Sequence, residues 1–181
     1  MRTIETDELR LVPMSIAFMC ALAEGRRDDA AHELRASLPP AWSLPREVLR
    51  NRIASLEHDA TIASWLLHSV VRKRDRQLIG NVGFHGPPGA HPFEDTWPAL
   101  VELGYTIAPE YRMRGYATAA CAALIDWAAT QPVRHVVLSI MRANIASMRV
   151  AEKLRFDFMH EYEHELRGVE RLYLRSLARR L

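Results

Sequence analysis

The feature that most constrains this chain is the segment LGYTIAPEYRMRGYATAA, residues 103–120. A strand-like apolar run leads into a loop with two arginines and a glycine, and an alanine-rich helical pattern follows directly. The first amides of a helix have no intrahelical acceptor, and the helix dipole adds partial positive charge there. Gly115 lets the backbone turn and approach a ligand closely. The segment therefore predicts an anion site made of backbone donors, to which Arg112 and Arg114 add charge.

Strand and helix patterns fill the rest of the chain. Strands are predicted over residues 9–14, 63–71, 77–84, 99–107, 135–140, 157–166 and 169–177. Helices are predicted over 15–24, within 28–56 on both sides of the loop LPPAWSLP, over 115–130 and over 144–154, with Ser15 and Asn144 as N-caps. The helical period of the fourth segment predicts a buried face of Ala120, Cys121, Leu124, Ile125 and Ala128. The order of elements predicts an α/β fold with a mixed sheet.

Composition restricts the class of protein. The 181 residues predict one domain over 1–181, and 49% hydrophobic and 25% charged residues are ordinary for a soluble globule. The net charge of +2 comes from basic residues interspersed with acids, so we expect no nucleic-acid partner. Two cysteines fit a reducing compartment.

We expect a cytoplasmic protein without a membrane partner. The polar start MRTIETDE does not resemble a signal peptide. The longest apolar run, LVPMSIAFMCALA, contains a proline and a serine and is shorter than the ~20 residues of a membrane span.

The loop before the fourth helix resembles a known phosphate-binding element. The sequence has neither G-x-x-x-x-G-K-[ST] nor G-x-G-x-x-G. Its R-x-x-G-x-A, between a strand and a helix, resembles the pyrophosphate loop of the Gcn5-related N-acetyltransferase (GNAT) superfamily, which holds the diphosphate of acetyl-CoA. The segments VELGYTIAPEYRMRGYATAACAALIDWA and ANIASMRVAEKLRF resemble the RimJ/RimL-type branch, whose members acetylate protein N-termini and other amines. The similarity runs from near Gly80 to about Phe158, close to half the chain.

The resemblance implies a fold, a reaction and a coenzyme site. The fold is a mixed, mostly antiparallel sheet of about seven strands flanked by helices, with a splayed notch between the fourth and fifth predicted strands. The reaction is acetyl transfer from acetyl-CoA to a primary amine, with no metal and with a homodimer left open. The implied coenzyme contacts are Tyr105, Thr106, Ile107, Arg112, Met113, Arg114, Gly115, Tyr116, Ala117, Thr118, Asn144 and Ser147.

Two residues are the catalytic candidates. Glu102 lies on an otherwise apolar strand, and burying a carboxylate is costly. The resemblance implies a general base, acting directly or through a water, whose pKa an apolar site would raise; a rim carboxylate that attracts a cationic amine is the alternative. Ser147 is implied to lie near the sulfur. Many relatives have a tyrosine acid four residues later, where this chain has Ala151, so Ser147 or water must protonate the thiolate.

Two further segments bear on this interpretation. The sequence has KLRF where the branch usually has K-L-G-F, in which the glycine ends the helix in a left-handed conformation. Either Arg155 adopts that conformation, which destabilises the fold by about 1 kcal/mol, or the helix ends with a different cap. HEYEH, residues 160–164, matches the zinc motif H-E-x-x-H, which requires a helix. We predict a strand, on which residues four apart lie about 13 Å apart and cannot share one zinc. A zinc hydrolase is therefore the remote alternative, and a non-catalytic acyl-CoA-binding or sensing module is the nearer one.

The amine acceptor stays open between a protein N-terminus, a polyamine, an amino acid and an antibiotic. We expect residues 15–56 and the loop 85–97 to form its walls, because the recognisable half of the chain holds the coenzyme. Aromatic and acidic residues suit a cationic amine. The candidates in these and neighbouring segments are Trp42, Trp65, Trp97, Glu94 and Asp95.

Overall fold

One eight-stranded sheet organises the described part of the chain, residues 2–89, 91–164 and 168–177 of the computed structural model. Its strands are β1 (Ile4–Glu5), β2 (Leu9–Pro13), β3 (Leu67–Arg72), β4 (Gln77–Phe84), β5 (Leu100–Ile107), β6 (His135–Met141), β7 (Asp157–His164) and β8 (Gly168–Ser176). The α-helices are α1 (Ile16–Ala23), α2 (Arg27–Leu34), α3 (Arg46–His58), α4 (Tyr116–Ala128) and α5 (Ile145–Lys153). Short 3-10 helices cover Ala60–Trp65 and Pro109–Tyr111.

The sheet is mixed and mostly antiparallel, as predicted. Its spatial order is β1-β2-β3-β4-β5-β6-β8-β7, and β5–β6 is the parallel pair among the described strands. About seven strands were predicted, and the eighth is β1. This strand has two residues and pairs with β2 through Ile4↔Leu11. It is too short to carry the alternation by which a strand is recognised in a sequence.

The sheet divides between β5 and β6. The two strands pair only from Leu100↔His135 to Glu102↔Val137. Beyond this point β5 remains paired with β4 as far as Ile107, and β6 remains paired with β8 as far as Met141. Residues 103–107 therefore have no strand partner on the side that faces β6. This is the predicted notch between the fourth and fifth predicted strands.

Helices cover both faces of the sheet, because neighbouring strand residues contribute to different cores. Val70 packs in the cluster that contains α4, whereas Val71 packs with α1, α2 and α3. The predicted inward face of α4 is confirmed, since each of its members is at most 1% exposed: Ala120, Cys121, Leu124, Ile125 and Ala128. The loop before α4 is thereby anchored on a rigid helix.

One predicted strand was partly wrong. Residues 63–71 were predicted as a strand, but the 3-10 helix ends at Trp65 and β3 begins at Leu67. The Asp59 carboxylate accepts the Thr61 amide hydrogen at 2.8 Å and starts the 3-10 helix. The Trp65 ring lies 4.8 Å from that of Trp127 on α4. Tertiary contact with α4 thus overrides an apolar run that fits a strand.

The end of α5 has the left-handed geometry that usually takes glycine. Arg155 has φ 57°, and its amide donates to the Glu152 carbonyl at 2.9 Å. The Phe156 amide donates to the Ala151 carbonyl at 3.0 Å, which completes a Schellman-type cap. The cap is therefore unchanged, and Arg155 carries the strain.

Further features bear on the class of protein. No helix within the described ranges has the length and apolar character needed to cross a membrane. Both cysteines are free thiols, with Cys121 buried and Cys20 partly exposed. The predicted strand 157–166 ends at His164, and its last two residues lie outside the described residues.

Candidate active site

The start of α4 forms the mouth of a cavity of about 510 Å³, here called the helix-mouth cavity. Gly115 precedes the helix with φ 81° and ψ −7°, a left-handed conformation that favours glycine. The amides of residues 113–118 have no hydrogen-bond acceptor among the described residues. The Arg112 Nε donates to the Ile107 carbonyl at 2.9 Å and ties the loop to the end of β5. A row of unused donors therefore faces this mouth.

The lining of the helix-mouth cavity is cationic. Arg112 lies on one side, and Arg149 and Lys153 of α5 lie on the other; no carboxylate belongs to this described lining. Free amides, a helix N-terminus and three cations together form a site for a diphosphate. Sequence reasoning missed Arg149 and Lys153. Their only signal is the spacing of four, which places two cations on one face of α5.

The predicted coenzyme contacts converge on this cavity, with one exception. Arg114 does not belong to the described lining, although it is exposed on the same loop. The contacts that do line the cavity are Tyr105, Thr106, Ile107, Arg112, Met113, Gly115, Tyr116, Ala117, Thr118, Asn144 and Ser147.

A second cavity, of about 390 Å³, opens where β5 and β6 separate, and is here called the sheet cavity. Its floor is one face of the sheet, since Asn81 pairs with Thr106 and Gly83 with Gly104 in register. Its roof comes from α3 through Val48 and Arg52, together with residues 44 and 45. The two cavities share Tyr105, Thr106, Asn144 and Ser147. A molecule in the helix-mouth cavity can thus meet a second molecule at this junction.

Glu102 lies in the wall of the sheet cavity between two histidines. Its Oε2 is 2.8 Å from Nδ1 of His85 and 3.3 Å from Nε2 of His91. The side chain is 13% exposed. Burial raises the pKa of Glu102, but the two histidines and Ser139 outweigh it and hold that pKa well below its usual range. The expected rise was therefore wrong in direction, because the neighbours of this carboxylate are donors and not apolar groups.

Asn144 caps α5, as predicted, with its Oδ1 accepting the Ser147 amide at 3.1 Å. Ala151 is fully buried one turn further on, so the α5 tyrosine of many relatives is absent here.

Burial raises the pKa of Tyr105 to about 12, and the neighbouring Ser147 hydroxyl partly opposes this rise. Its phenol makes no hydrogen bond of standard geometry among the described residues. The junction of the cavities thus presents two hydroxyl groups, those of Ser147 and Tyr105.

Sequence reasoning missed three polar residues of the sheet cavity. Asn81 is 6% exposed, and its Oδ1 has no hydrogen-bond partner in the described structure. The Nη1 of Arg52 donates to the His85 carbonyl at 2.7 Å, and burial lowers the pKa of this guanidinium. No local motif marks Arg52, Asn81 or His85, since pairing and helix packing bring them together.

Both segments that were predicted to form the acceptor walls contribute residues to the sheet cavity, but the five candidate side chains are not part of its described lining. Residues 44, 45, 48 and 52 come from the first predicted segment, and His85 comes from the second. None of the five candidate side chains lines either cavity in the described structure. Trp65 packs on Trp127, and Glu94 accepts the Leu100 amide at 3.2 Å; the others are Trp42, Trp97 and Asp95.

The HEYEH segment lies on strand β7, as predicted. The His160 ring packs 6.1 Å from the ring of Phe93. The described ranges contain no group of three or more His, Cys, Asp or Glu side chains arranged to hold a metal ion. The helical geometry that the zinc motif needs is therefore not met here.

Comparison with known proteins identifies the class. The family model described as an acetyltransferase (GNAT) domain matches residues 8–157. The chain belongs to the GNAT acetyltransferase family, and it is accordingly an acyltransferase. Members of this family use acetyl-CoA and an amine acceptor.

Known proteins can be aligned with this chain over nearly its whole length. An uncharacterized N-acetyltransferase of Bacillus subtilis (strain 168), YjdG, is 27% identical over 174 residues, which is 89% of this chain and 95% of that protein. The ribosomal-protein-S5-alanine acetyltransferase of Vibrio fischeri is 19% identical with a TM-score of 0.69, covering 98% of this chain and 97% of that one. RimL, a ribosomal L7/L12 alpha-N-protein acetyltransferase solved with coenzyme A, is 16% identical with a TM-score of 0.67, covering 97% and 98%. At these identities, the two structures show a shared fold.

Proposed function

We propose that this protein transfers the acetyl group of acetyl-CoA to a primary amine, as an enzyme of the RimJ/RimL type whose single domain spans residues 1–181. The observation that carries the proposal is the meeting of two cavities of different character. The helix-mouth cavity is cationic and rich in free amides, whereas the sheet cavity contains carboxylates and a histidine. They join beside Ser147, where the thioester and the amine would meet.

The helix-mouth cavity is proposed to hold the coenzyme. Amides of residues 113–118, with Arg112 and Arg149, would bind the diphosphate, and Arg114 would add charge from outside the cavity. Backbone groups of Tyr105, Thr106 and Ile107 lack a partner strand in the notch. They would bind the pantetheine arm and the thioester oxygen, as the family resemblance implies. RimL, a protein of the same fold, was solved with coenzyme A.

The acceptor nitrogen loses two protons during the reaction, one before it attacks and one afterwards, and the leaving thiolate gains one. The acceptor arrives as an ammonium ion, and its nitrogen can attack the thioester carbon only after losing a proton. The carbon–sulfur bond then breaks, and the Ser147 hydroxyl is proposed to relay the second proton of the nitrogen to the leaving thiolate, so that Ser147 ends the step as a hydroxyl. Glu102 is proposed to assist the removal of the first proton as an ionised carboxylate, and its charge also favours a cationic acceptor. A protein N-terminus and a small-molecule amine both satisfy this chemistry.

The test is amine-dependent release of the coenzyme thiol from acetyl-CoA. A panel would contain an N-terminal peptide, a polyamine, an amino acid and an aminoglycoside, each at several concentrations. At least one amine should give saturable turnover. Ser147→Ala should lower kcat by about 10²-fold or more, with acetyl-CoA affinity nearly unchanged. Saturable acetyl-CoA binding with no turnover on any amine would contradict the proposal and favour a binding module.

A further inference from the structure

We propose that Nε2 of His85 is the base that removes the proton from the acceptor ammonium, and that Glu102 is a positioning residue for His85. The inference rests on the proposed function. It replaces the carboxylate by an imidazole as the group that touches the amine. The imidazole is the side chain whose ordinary pKa suits proton exchange near neutral pH.

The first argument concerns Glu102. Its Oε2 accepts from both histidines, at 2.8 Å from His85 and 3.3 Å from His91. These contacts hold the pKa of Glu102 well below its usual range. A carboxylate with a strongly depressed pKa is a weak proton acceptor at neutral pH. Through these contacts, Glu102 can orient an imidazole ring and stabilise the positive charge of the imidazolium.

The second argument concerns which histidine nitrogen has a lone pair available. The Phe93 amide donates to Nδ1 of His91 at 3.2 Å, so Nε2 of His91 carries the hydrogen that points to Glu102. Neither nitrogen of His91 is free. In His85 the hydrogen on Nδ1 points to Glu102, so the lone pair of the neutral ring lies on Nε2. Nε2 of His85 has no partner among the described residues.

The third argument concerns position. His85 lines the sheet cavity with its side chain 47% exposed, compared with 11% for His91. A Cβ on Gly104 would lie 2.9 Å from Nε2 of His85, so the imidazole edge lies directly over this glycine of β5. Arg52 of α3 donates to the His85 carbonyl at 2.7 Å and so helps to fix the backbone of His85. The free nitrogen is therefore held at the wall of the cavity over Gly104, which is two residues along β5 from Thr106 at the junction.

The proton balance of the step is complete. The ammonium N–H bond breaks and an Nε2–H bond forms, which leaves a neutral amine and an imidazolium next to the Glu102 carboxylate. The amine lone pair then attacks the thioester carbon, the carbon–sulfur bond breaks, and the second proton of the nitrogen passes through the Ser147 hydroxyl to the leaving thiolate. The imidazolium returns its proton to solvent through the exposed part of the ring. The other charged groups facing this cavity are Arg52 from α3 and Glu170 from β8, and Tyr162 donates to Glu170 at 2.8 Å.

The test compares four variants with an amine that the wild type acetylates. His85→Ala should lower kcat/KM for the amine by about 10²–10⁴-fold, with acetyl-CoA affinity unchanged. Added imidazole should restore part of the lost rate, which a purely structural role would not allow. Gly104→Ala keeps the histidine but displaces its ring, and it should show a similar loss. Glu102→Gln should lower the rate less and shift the pH profile. His32→Ala, on the exposed surface of α2, is the control.

The outcomes separate the two proposals. Near wild-type rates in both His85→Ala and Gly104→Ala, with a complete loss in Glu102→Gln, would overturn the inference and return the base to Glu102. The proposed function would then still stand. Absence of amine-dependent turnover in the wild type would refute the proposed function, and the assignment of a base would fall with it.

Discussion

Replacing Gly115 by alanine tests the anion site at the mouth of α4. Gly115 has φ 81°, and a Cβ built on it meets no atom within 4 Å. The substitution therefore creates no steric clash, and its cost is the backbone strain of a non-glycine residue in a left-handed conformation. That strain is about 1–2 kcal/mol.

The strain can lower either the stability of the fold or the affinity for the coenzyme. If the loop keeps its conformation, the free energy of unfolding falls by that amount, and the melting temperature drops by roughly 2–8 °C at this chain length. If the loop relaxes, the coenzyme must restore the binding conformation, and 1–2 kcal/mol then corresponds to roughly 5–30-fold weaker affinity. The added methyl group also lies at the mouth that is proposed to hold the diphosphate. We therefore expect weaker acetyl-CoA binding by Gly115→Ala.

Gly25→Ala is the matched control. Gly25 also has a left-handed φ, 78°, with nothing within 4 Å of an added Cβ. It lies between α1 and α2, outside the lining of both cavities. Calorimetric titration with acetyl-CoA should give wild-type affinity for Gly25→Ala and a loss of about fivefold or more for Gly115→Ala. Equal affinities of the two variants would refute the prediction that a methyl group added at residue 115 disturbs the bound diphosphate.

Two stability predictions follow from the fold. Burial lowers the pKa of His68 from 6.5 to about 4, although a contact with the Leu66 carbonyl partly opposes this. As the pH falls below 6.5, the unfolded chain takes up a proton on His68 before the folded protein does. The free energy of unfolding of the wild type therefore falls by about 3 kcal/mol between pH 6.5 and pH 4. In urea unfolding at a series of pH values, the free energy of unfolding of His68→Gln should not show this part of the decrease. An equal dependence on pH in the wild type and the variant would contradict the prediction. Arg155→Gly should raise the free energy of unfolding by about 1 kcal/mol and the melting temperature by roughly 2–4 °C; a lower melting temperature would show that Arg155 is not strained.

Features that depend on local pattern could be predicted from the sequence. The inward face of α4 follows from a 3.6-residue period, and the loop before it follows from Gly115 between a strand and a helix. The Asn144 cap is set by residues three apart. The strand assignment of HEYEH depended on its neighbours along the chain, and β7 confirms it.

Features that depend on tertiary contact could not be predicted. Glu102 was placed on its strand correctly, but its pKa depends on His85 and His91, which reach it from beyond the end of β4. Trp65 was proposed as part of the acceptor wall, but it is partly buried against the core through its contact with Trp127 of α4. Arg149 and Lys153 belong to the helix-mouth cavity only because the fold places α5 opposite the start of α4.

The measurement that tests the central claim most directly is a thermal melt of the wild type with acetyl-CoA, with CoA, with ATP and with zinc. A ligand at 100 times its dissociation constant adds about 2.7 kcal/mol to the stability of the folded state. At this chain length, we expect a rise in melting temperature of roughly 5–10 °C with either form of the coenzyme. ATP and zinc should leave the melting temperature unchanged. A melt that neither coenzyme form shifts would contradict the account, because the free amides at the α4 mouth would then belong to a turn and not to a binding site.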